Sequence, residues 1–168
     1  MKTYGQMMVR DLMTTDVITV DEGDDLDLAQ SEMSLARIRH LPVVRKGRLV
    51  GLVTHRDILE AMCSVFADIG GQQQAEFFRS VAVTEIMASR VRTVEPDTDA
   101  SEAARTLLES KIGCLPVVDD GDRLVGIVTE ADFVELSRQL LDKMRDHDLD
   151  DEVVEAPQSR YTRGNDEG

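Results

Sequence analysis

Two short stretches of this chain carry the residues best placed to do chemistry. Gly51-Leu-Val-Thr-His-Arg-Asp57 and Gly126-Ile-Val-Thr-Glu-Ala-Asp132 share a glycine, two apolar residues, a threonine and, three positions on, an aspartate. The apolar run reads as the end of a strand, and Thr54 or Thr129 as the opening of a helix. A threonine at a helix start with an aspartate three residues later forms a capping arrangement, in which both side chains accept backbone N–H bonds from the first turn. That is one complete account of the pair. The other is a binding site: glycine leaves room for an approach to the strand, and a carboxylate at a helix start accepts two vicinal hydroxyls. Vicinal hydroxyls are the mark of a ribose. Helix N-terminal N–H groups tolerate a phosphate, yet Asp57 and Asp132 repel one, so the sugar belongs against the carboxylate.

Both stretches belong to a longer duplication. Arg48 to Asp57 returns as Arg123 to Asp132, and Leu41-Pro-Val-Val44 returns as Leu115-Pro-Val-Val118. Further upstream Met13, Val17, Thr19 and Val20 answer to Met87, Val91, Thr93 and Val94. The offset is 74 upstream and 75 downstream, because Asp119-Asp120-Gly121-Asp122 holds one residue more than Arg45-Lys46-Gly47, as a turn tolerates.

The elements that must position these residues follow from periodicity. Val17 to Val20 reads as a short strand, and Asp24 to Arg37 as a helix with Leu26, Ala29, Met33 and Ala36 on one stripe, repeated by Ala100, Ala103 and Leu107. Leu41 to Val44 and Leu49 to Val53 make a hairpin about Lys46-Gly47, with Pro42 and Pro116 fitting strand starts. The helix after Thr54 carries Ile58, Met62 and Val65 on one side, and the helix after Thr129 carries Phe133, Leu136 and Leu140. Each unit is thus β-α-β-β-α. A unit of roughly 50 residues is too small for a secure core, so the two must pack together. The expected fold is α/β (α+β), two such repeats about a pseudo-twofold axis, with any axial cleft lined by both. The first repeat spans 7–66, a linker 67–81, the second repeat 82–144, and an acidic tail 145–168 expected to be frayed or disordered. Within the linker Gly70-Gly-Gln-Gln-Gln74 breaks the pattern, and Ala75 to Ser80 either extends a helix or forms a mobile loop.

A net charge of −14 argues against general nucleic-acid binding and against anionic membranes, both of which need clustered cations. Solubility accounts for the acidity without any partner. No stretch approaches 18 apolar residues and the N-terminus lacks an apolar signal core, so a cytoplasmic protein with two free thiols, Cys63 and Cys114, is expected. His40, His55, Cys63 and Cys114 lack the spacing of a metal site, and the scattered glycines form no phosphate loop. The methionines read as adaptable core or interface residues. Nothing requires catalysis.

Taken in order and twice over, Met13-Thr-x-x-Val17-x-Thr-Val20 with Met87-Ala-x-x-Val91-x-Thr-Val94, Leu-Pro-Val-Val and Gly-h-Val-Thr-x-x-Asp resemble the tandem cystathionine-β-synthase (CBS) domain pair, or Bateman module. The resemblance covers roughly residues 7–141. It implies two quasi-equivalent clefts between the repeats and an adenosine-containing ligand: AMP, ADP, ATP or S-adenosylmethionine. Carried over, the first cleft would set Asp57 and Thr54 on the ribose and Arg39 and His40 towards phosphate, with Arg92, Ile112 and Gly113 bordering the base. The second would use Asp132 and Thr129, with Ile18, Ile38 and Arg39 on the base side and Gly113 and Cys114 where the first has Arg39 and His40.

A guanidinium pairs bidentately with phosphate, whereas Gly113 and Cys114 offer no charge. On that reading the first cleft favours a phosphorylated nucleotide and the second a neutral adenosine moiety, a weakly held nucleotide or nothing. Alternatively Arg37, Arg39 and His40 form a solvated turn. His55, beside Thr54, adds to the phosphate end or stands in solvent. The expected function is a non-catalytic regulatory module, a homodimer that senses the ligand and signals to an unidentified partner protein, with no required cofactor and no metal. Its moving parts would be Gly70 to Ser80 and the helices after Thr54 and Thr129. The alternative is a ligand-free dimerisation module.

Overall fold

The computed structural model of the chain describes residues 7–65 and 71–146. After a 3-10 turn at Val9–Asp11 come β1 (Val20–Asp21), α1 (Leu26–Ala36), β2 (His40–Arg45), β3 (Arg48–Thr54) and α2 (His55–Val65). The chain continues through α3 (Gly71–Ser80), α4 (Val83–Ile86), α5 (Ala100–Ser110), β4 (Cys114–Val118), β5 (Leu124–Thr129) and α6 (Glu130–Asp146). It divides into two units, residues 1–135 and 136–168. The second is described by the end of α6, where Asp142 pairs with Arg138 at 2.7 Å and Arg145 at 3.4 Å. Of the tail expected over 145–168, Arg145 and Asp146 end α6, and the rest, from 147 on, lies outside the described residues. Among the described residues no helix is long and apolar enough to cross a membrane.

The two copies build the same parts by the same local chemistry. Helix α1 starts where the Asp25 carboxylate accepts the Leu28 N–H at 2.9 Å and ends at Arg37, with φ of 55°. Helix α5 starts where Asp99 accepts the Ser101 N–H at 2.8 Å and ends at Lys111, with φ of 54°. Leu26, Ala29 and Met33 in one, and Ala100, Ala103 and Leu107 in the other, form the buried stripes their spacing predicts. Each hairpin carries a register shift at the same place, between Val43 and Val44 and between Val117 and Val118. Lys46 and Gly47 both take positive φ, 51° and 78°, as the tight turn between β2 and β3 demands. The residue added in the second copy is absorbed by a wider turn, where the Asp119 carboxylate accepts from the N–H groups of Gly121 and Arg123 at 3.0 and 2.9 Å.

Three details differ from the sequence expectation. The strand expected over Val17 to Val20 is only Val20–Asp21, because only these two pair with β2, in parallel with Val43 and Val44. Its counterpart in the second copy is a single bridge from Val94 to Val117. Pro42 and Pro116 lie two residues inside their strands. Pro116 opens the β4 side that faces Val94, accepting the Val94 N–H at 3.1 Å, so the missing donor still falls at the start of a ladder. Gly71 to Gln74, expected to break the pattern, instead open α3; Ala75 to Ser80, read as helix or loop, end it, with Phe78 buried in the first core.

The repeats are joined by exchange. The segment leading into each repeat crosses to the hairpin of the other: Thr14 and Ile127 trade two backbone hydrogen bonds at 2.9 Å, and Ala88 and Leu52 trade two at 2.9 and 3.0 Å. Ala100 donates to Met7 and Val9 to Thr98, while Leu26 donates to Val81 and Val83 to Asp24. The hairpin turns touch reciprocally through Leu49 to Asp122 and Leu124 to Gly47. These crossings come in pairs related by the duplication, which is the pseudo-twofold axis expressed in hydrogen bonds. The cores follow suit. Val83 is buried in the first with Leu41, Val43 and Val53, and Val9 in the second with Leu115, Val117 and Val128.

This exchange explains the glycines. A Cβ on Gly51 would stand 2.3 Å from the Met87 sulfur and 3.2 Å from the Ala88 carbonyl, and one on Gly126 would stand 2.5 Å from the Met13 sulfur and 3.1 Å from the Thr14 carbonyl. What approaches the strand at these glycines is the other repeat. Met13 and Met87 pack against the cores in the adaptable role that methionine suits.

Candidate functional site

A cavity of about 360 Å³ opens between the repeats, within the size range of small-molecule sites. One wall is Thr129, Glu130, Ala131 and Asp132, at the junction of β5 and α6. Facing it are Ile38, Arg39 and His40, which lead into β2, with Arg37 at the αL end of α1. Thr14, Asp16, Val17 and Ile18, approaching β1, close a third side, and Gly113 lies beside the Thr129 turn.

Asp132 is fixed rather than free. Its Oδ2 accepts the Thr129 backbone N–H at 2.7 Å and the Thr129 hydroxyl at 2.9 Å. Asp57 repeats this with Thr54, both bonds at 2.7 Å, and its own N–H donates to the Thr54 hydroxyl at 3.3 Å. The capping arrangement is therefore formed by both side chains in the first copy and, among the described residues, by Asp132 alone in the second. It also leaves Oδ1 of each aspartate without a hydrogen bond among the described residues, so the cap pre-orients an acceptor. Each turn is tied to the strand beside it: Glu130 donates its N–H to the Gly113 carbonyl at 3.1 Å, and His55 donates to the Arg39 carbonyl at 3.0 Å.

His40 stands at the centre. A Cβ on Gly113 would lie 2.7 Å from its Nε2 and 2.8 Å from its Cε1, so the absence of a side chain at 113 is what admits the ring. Burial pushes the imidazole below its ordinary pKa, and the Arg39 guanidinium pushes the same way; Glu130 and Asp57 oppose them. These two carboxylates come from the two duplicated turns, so His40 lies within electrostatic reach of both. Cys114, which follows Gly113, is buried, and burial pushes its thiol up to about 12.

Of the residues expected from sequence, the structure brings Ile18, Ile38, Arg39, His40, Gly113, Thr129 and Asp132 together around this one cavity. Thr54, Asp57, Arg92 and Ile112 are not among its lining residues. His40, expected at the first cleft alone, lines the cavity of Asp132, because β2 begins against Gly113 where no side chain stands in the way. Besides Gly113, which offers no charge, the cavity carries the charged side chains of Asp16, Arg37, Arg39, Glu130 and Asp132. Asp16 and Glu130 were not anticipated. Glu130 was legible, since it occupies in the second copy the place that His55 occupies in the first.

The comparisons with known proteins agree with this fold. A family model for the CBS domain matches residues 9–64 and 83–139. A CBS domain-containing protein of Dictyostelium discoideum is 32% identical over 138 residues, covering 82% of this chain and 95% of that protein. The solved CBS domain pair of protein MJ0100, in complex with 5′-methylthioadenosine and S-adenosyl-L-methionine, is 30% identical with a TM-score of 0.66, covering 78% of this chain and 99% of that one. The structure of CBSX2 in complex with AMP is 28% identical with a TM-score of 0.67, covering 80% of this chain and 98% of that one. Several other curated relatives are longer proteins, of which the chain spans 24% or less.

Proposed function

The chain belongs to the CBS domain family, and from that premise we propose that it is a non-catalytic regulatory module whose cavity binds an adenosine-containing ligand. AMP, ADP, ATP and S-adenosylmethionine are the candidate ligands. The ribose lies against Asp132 and Thr129, the base against Ile18 and Ile38, and the 5′ substituent towards Arg39 and His40. Thr54 and Asp57, with Arg92, Ile112 and Gly113, serve the twofold-related cleft. The observation that carries this reading is Asp132: a carboxylate held by two hydrogen bonds through one oxygen, with the other oxygen unbonded among the described residues, on the wall of a cavity that is apolar at Ile18, Val17 and Ile38. Relatives bound to AMP, 5′-methylthioadenosine and S-adenosylmethionine support the ligand class.

The module works in the cytoplasm as a homodimer and reports the bound state to a partner protein. A ligand shifts that partner only through a difference in affinity between two conformations, and a cavity lined by both repeats is suited to sense their relative position. Calorimetric titration with AMP, ATP and S-adenosylmethionine tests the reading. Asp132→Ala weakens the ligand that binds the cavity by about 1.5–3 kcal/mol, the range for a hydrogen bond to a charged group. Failure of all three ligands to bind at millimolar concentration would leave the repeats a dimerisation device with empty clefts.

A further inference from the structure

Where the two hairpin turns touch, the fold sets an arginine against its own duplicate. Leu49 donates to the Asp122 carbonyl at 3.0 Å and Leu124 to the Gly47 carbonyl at 3.1 Å, which places Arg48 and Arg123 directly opposite each other in an antiparallel bridge. These hydrogen bonds flank the pair rather than join it, so it is the close kind, with both side chains on one face and Cβ atoms roughly 4.5–5.5 Å apart. On its other side Arg48 is in register with Arg45. Three arginines therefore form one row across strands of both repeats. Strand β2 carries the row away from the cavity, since Arg45 lies roughly 16 Å along it from His40.

Only one of the three is neutralised. Arg45 donates through Nε and Nη2 to the two carboxylate oxygens of Glu22. Arg48 and Arg123 are exposed, and among the described residues neither forms an ion pair. The carboxylates of the neighbouring turn do not serve them: Asp119 accepts from the backbone N–H groups of Gly121 and Arg123, and Asp120 and Asp122 pair with neither guanidinium. A single unpaired arginine, such as Arg105 on α5, is ordinary at a surface. Two placed directly opposite each other repel, and that arrangement costs stability until an anion joins them.

The row itself indicates which anion. One guanidinium fork uses both oxygens of a carboxylate, as Arg45 does with Glu22, whereas two adjacent forks call for a group with more oxygens and more charge. A phosphate group supplies three acceptor oxygens and a charge of about −1.5 to −2. We infer that Arg48 and Arg123 form a binding site, separate from the cavity, for a phosphate group that bridges the two repeats. Such a group ties one hairpin turn to the other, so its binding stabilises the arrangement of repeats in which the turns meet. The inference stands whether or not the cavity takes an adenosine.

Thermal melting of the full chain without nucleotide, with inorganic phosphate or phenyl phosphate exchanged for sodium chloride at constant ionic strength, tests the site. The melting temperature is expected to rise saturably, by about 3–6 °C once the phosphate exceeds its Kd about tenfold. Whichever compound binds more tightly identifies the group as a free ion or an ester. Arg48→Gln/Arg123→Gln is expected to abolish the saturable rise and, with the repulsion gone, to melt no lower than the parent in chloride alone. Arg10→Gln, which alters an arginine paired elsewhere, is expected to keep the full response. An undiminished rise in the double variant, or its equal loss in Arg10→Gln, would overturn the inference. So would a lower melting temperature of the double variant in chloride, since the arginines would then be making contacts within the fold. If the glutamine pair does not fold, Arg48→Lys/Arg123→Lys keeps the charge and loses the forks, and is expected to weaken phosphate about fivefold. Unchanged affinity in that variant would count equally against the site.

Discussion

His40 shows how one side chain couples two copies of a motif. It enters from β2, rests on the bare Cα of Gly113, and feels Glu130 from one turn and Asp57 from the other. Burial, with Arg39 beside it, holds its folded-state pKa below the ordinary value of 6.5. The folded protein therefore binds this proton less readily than the unfolded chain, so the associated stability is complete above pH 6.5 and is lost as pH falls through the lowered folded value. Urea midpoints of the ligand-free protein measured between pH 8 and pH 5 are expected to drop below about pH 6.5, and to drop less in His40→Gln. Identical pH profiles for the two proteins would show that His40 is not the group responsible. Sequence could identify His40 as a candidate, but not that the glycine of the other copy makes its seat. That depends on which two backbones meet, and no spacing within one copy encodes it.

At the scale of elements, the two glycine–methionine crossings hold the repeats together. Gly51→Ala drives a methyl group into Met87 and towards the Ala88 carbonyl, and is expected to cost about 1–3 kcal/mol, the usual range for overpacking. Because the sulfur can move and the carbonyl cannot, Gly51→Ala/Met87→Ala is expected to be less destabilised than the sum of its single changes, which a double-mutant cycle by denaturant unfolding measures. Strict additivity would mean that the backbone contact dominates. The hairpins, the α1 and α5 stripes and the two capped turns were legible because each is specified by residues within a few positions of one another. The exchange of leading segments was not, because Thr14 and Ala88 carry no local pattern that names a partner. Helix α3 was ambiguous for a related reason. Its glycine and glutamine start reads as a break, and what anchors it is the burial of Phe78 against a core formed elsewhere in the chain.

For the whole molecule, the proposed homodimer has candidate contact residues on the helices that follow the duplicated turns. Leu59 on α2 is 44% exposed and Val134 on α6 is 68% exposed. Light scattering is expected to give twice the chain mass of 18.7 kDa, and Leu59→Glu/Val134→Glu to return it towards the single-chain value. A single-chain mass for the unaltered protein at all concentrations would sink the dimer. The exchanged segments also constrain the order in which the protein can come into being. The first core is incomplete until Val83 and the segment through Ala88 have left the ribosome, and Thr14, among the earliest described residues, finds its strand partner only when Ile127 has been made. The first core can therefore close once Ala88 has emerged, whereas the segment around Thr14 must stay unpaired until Ile127 has been made.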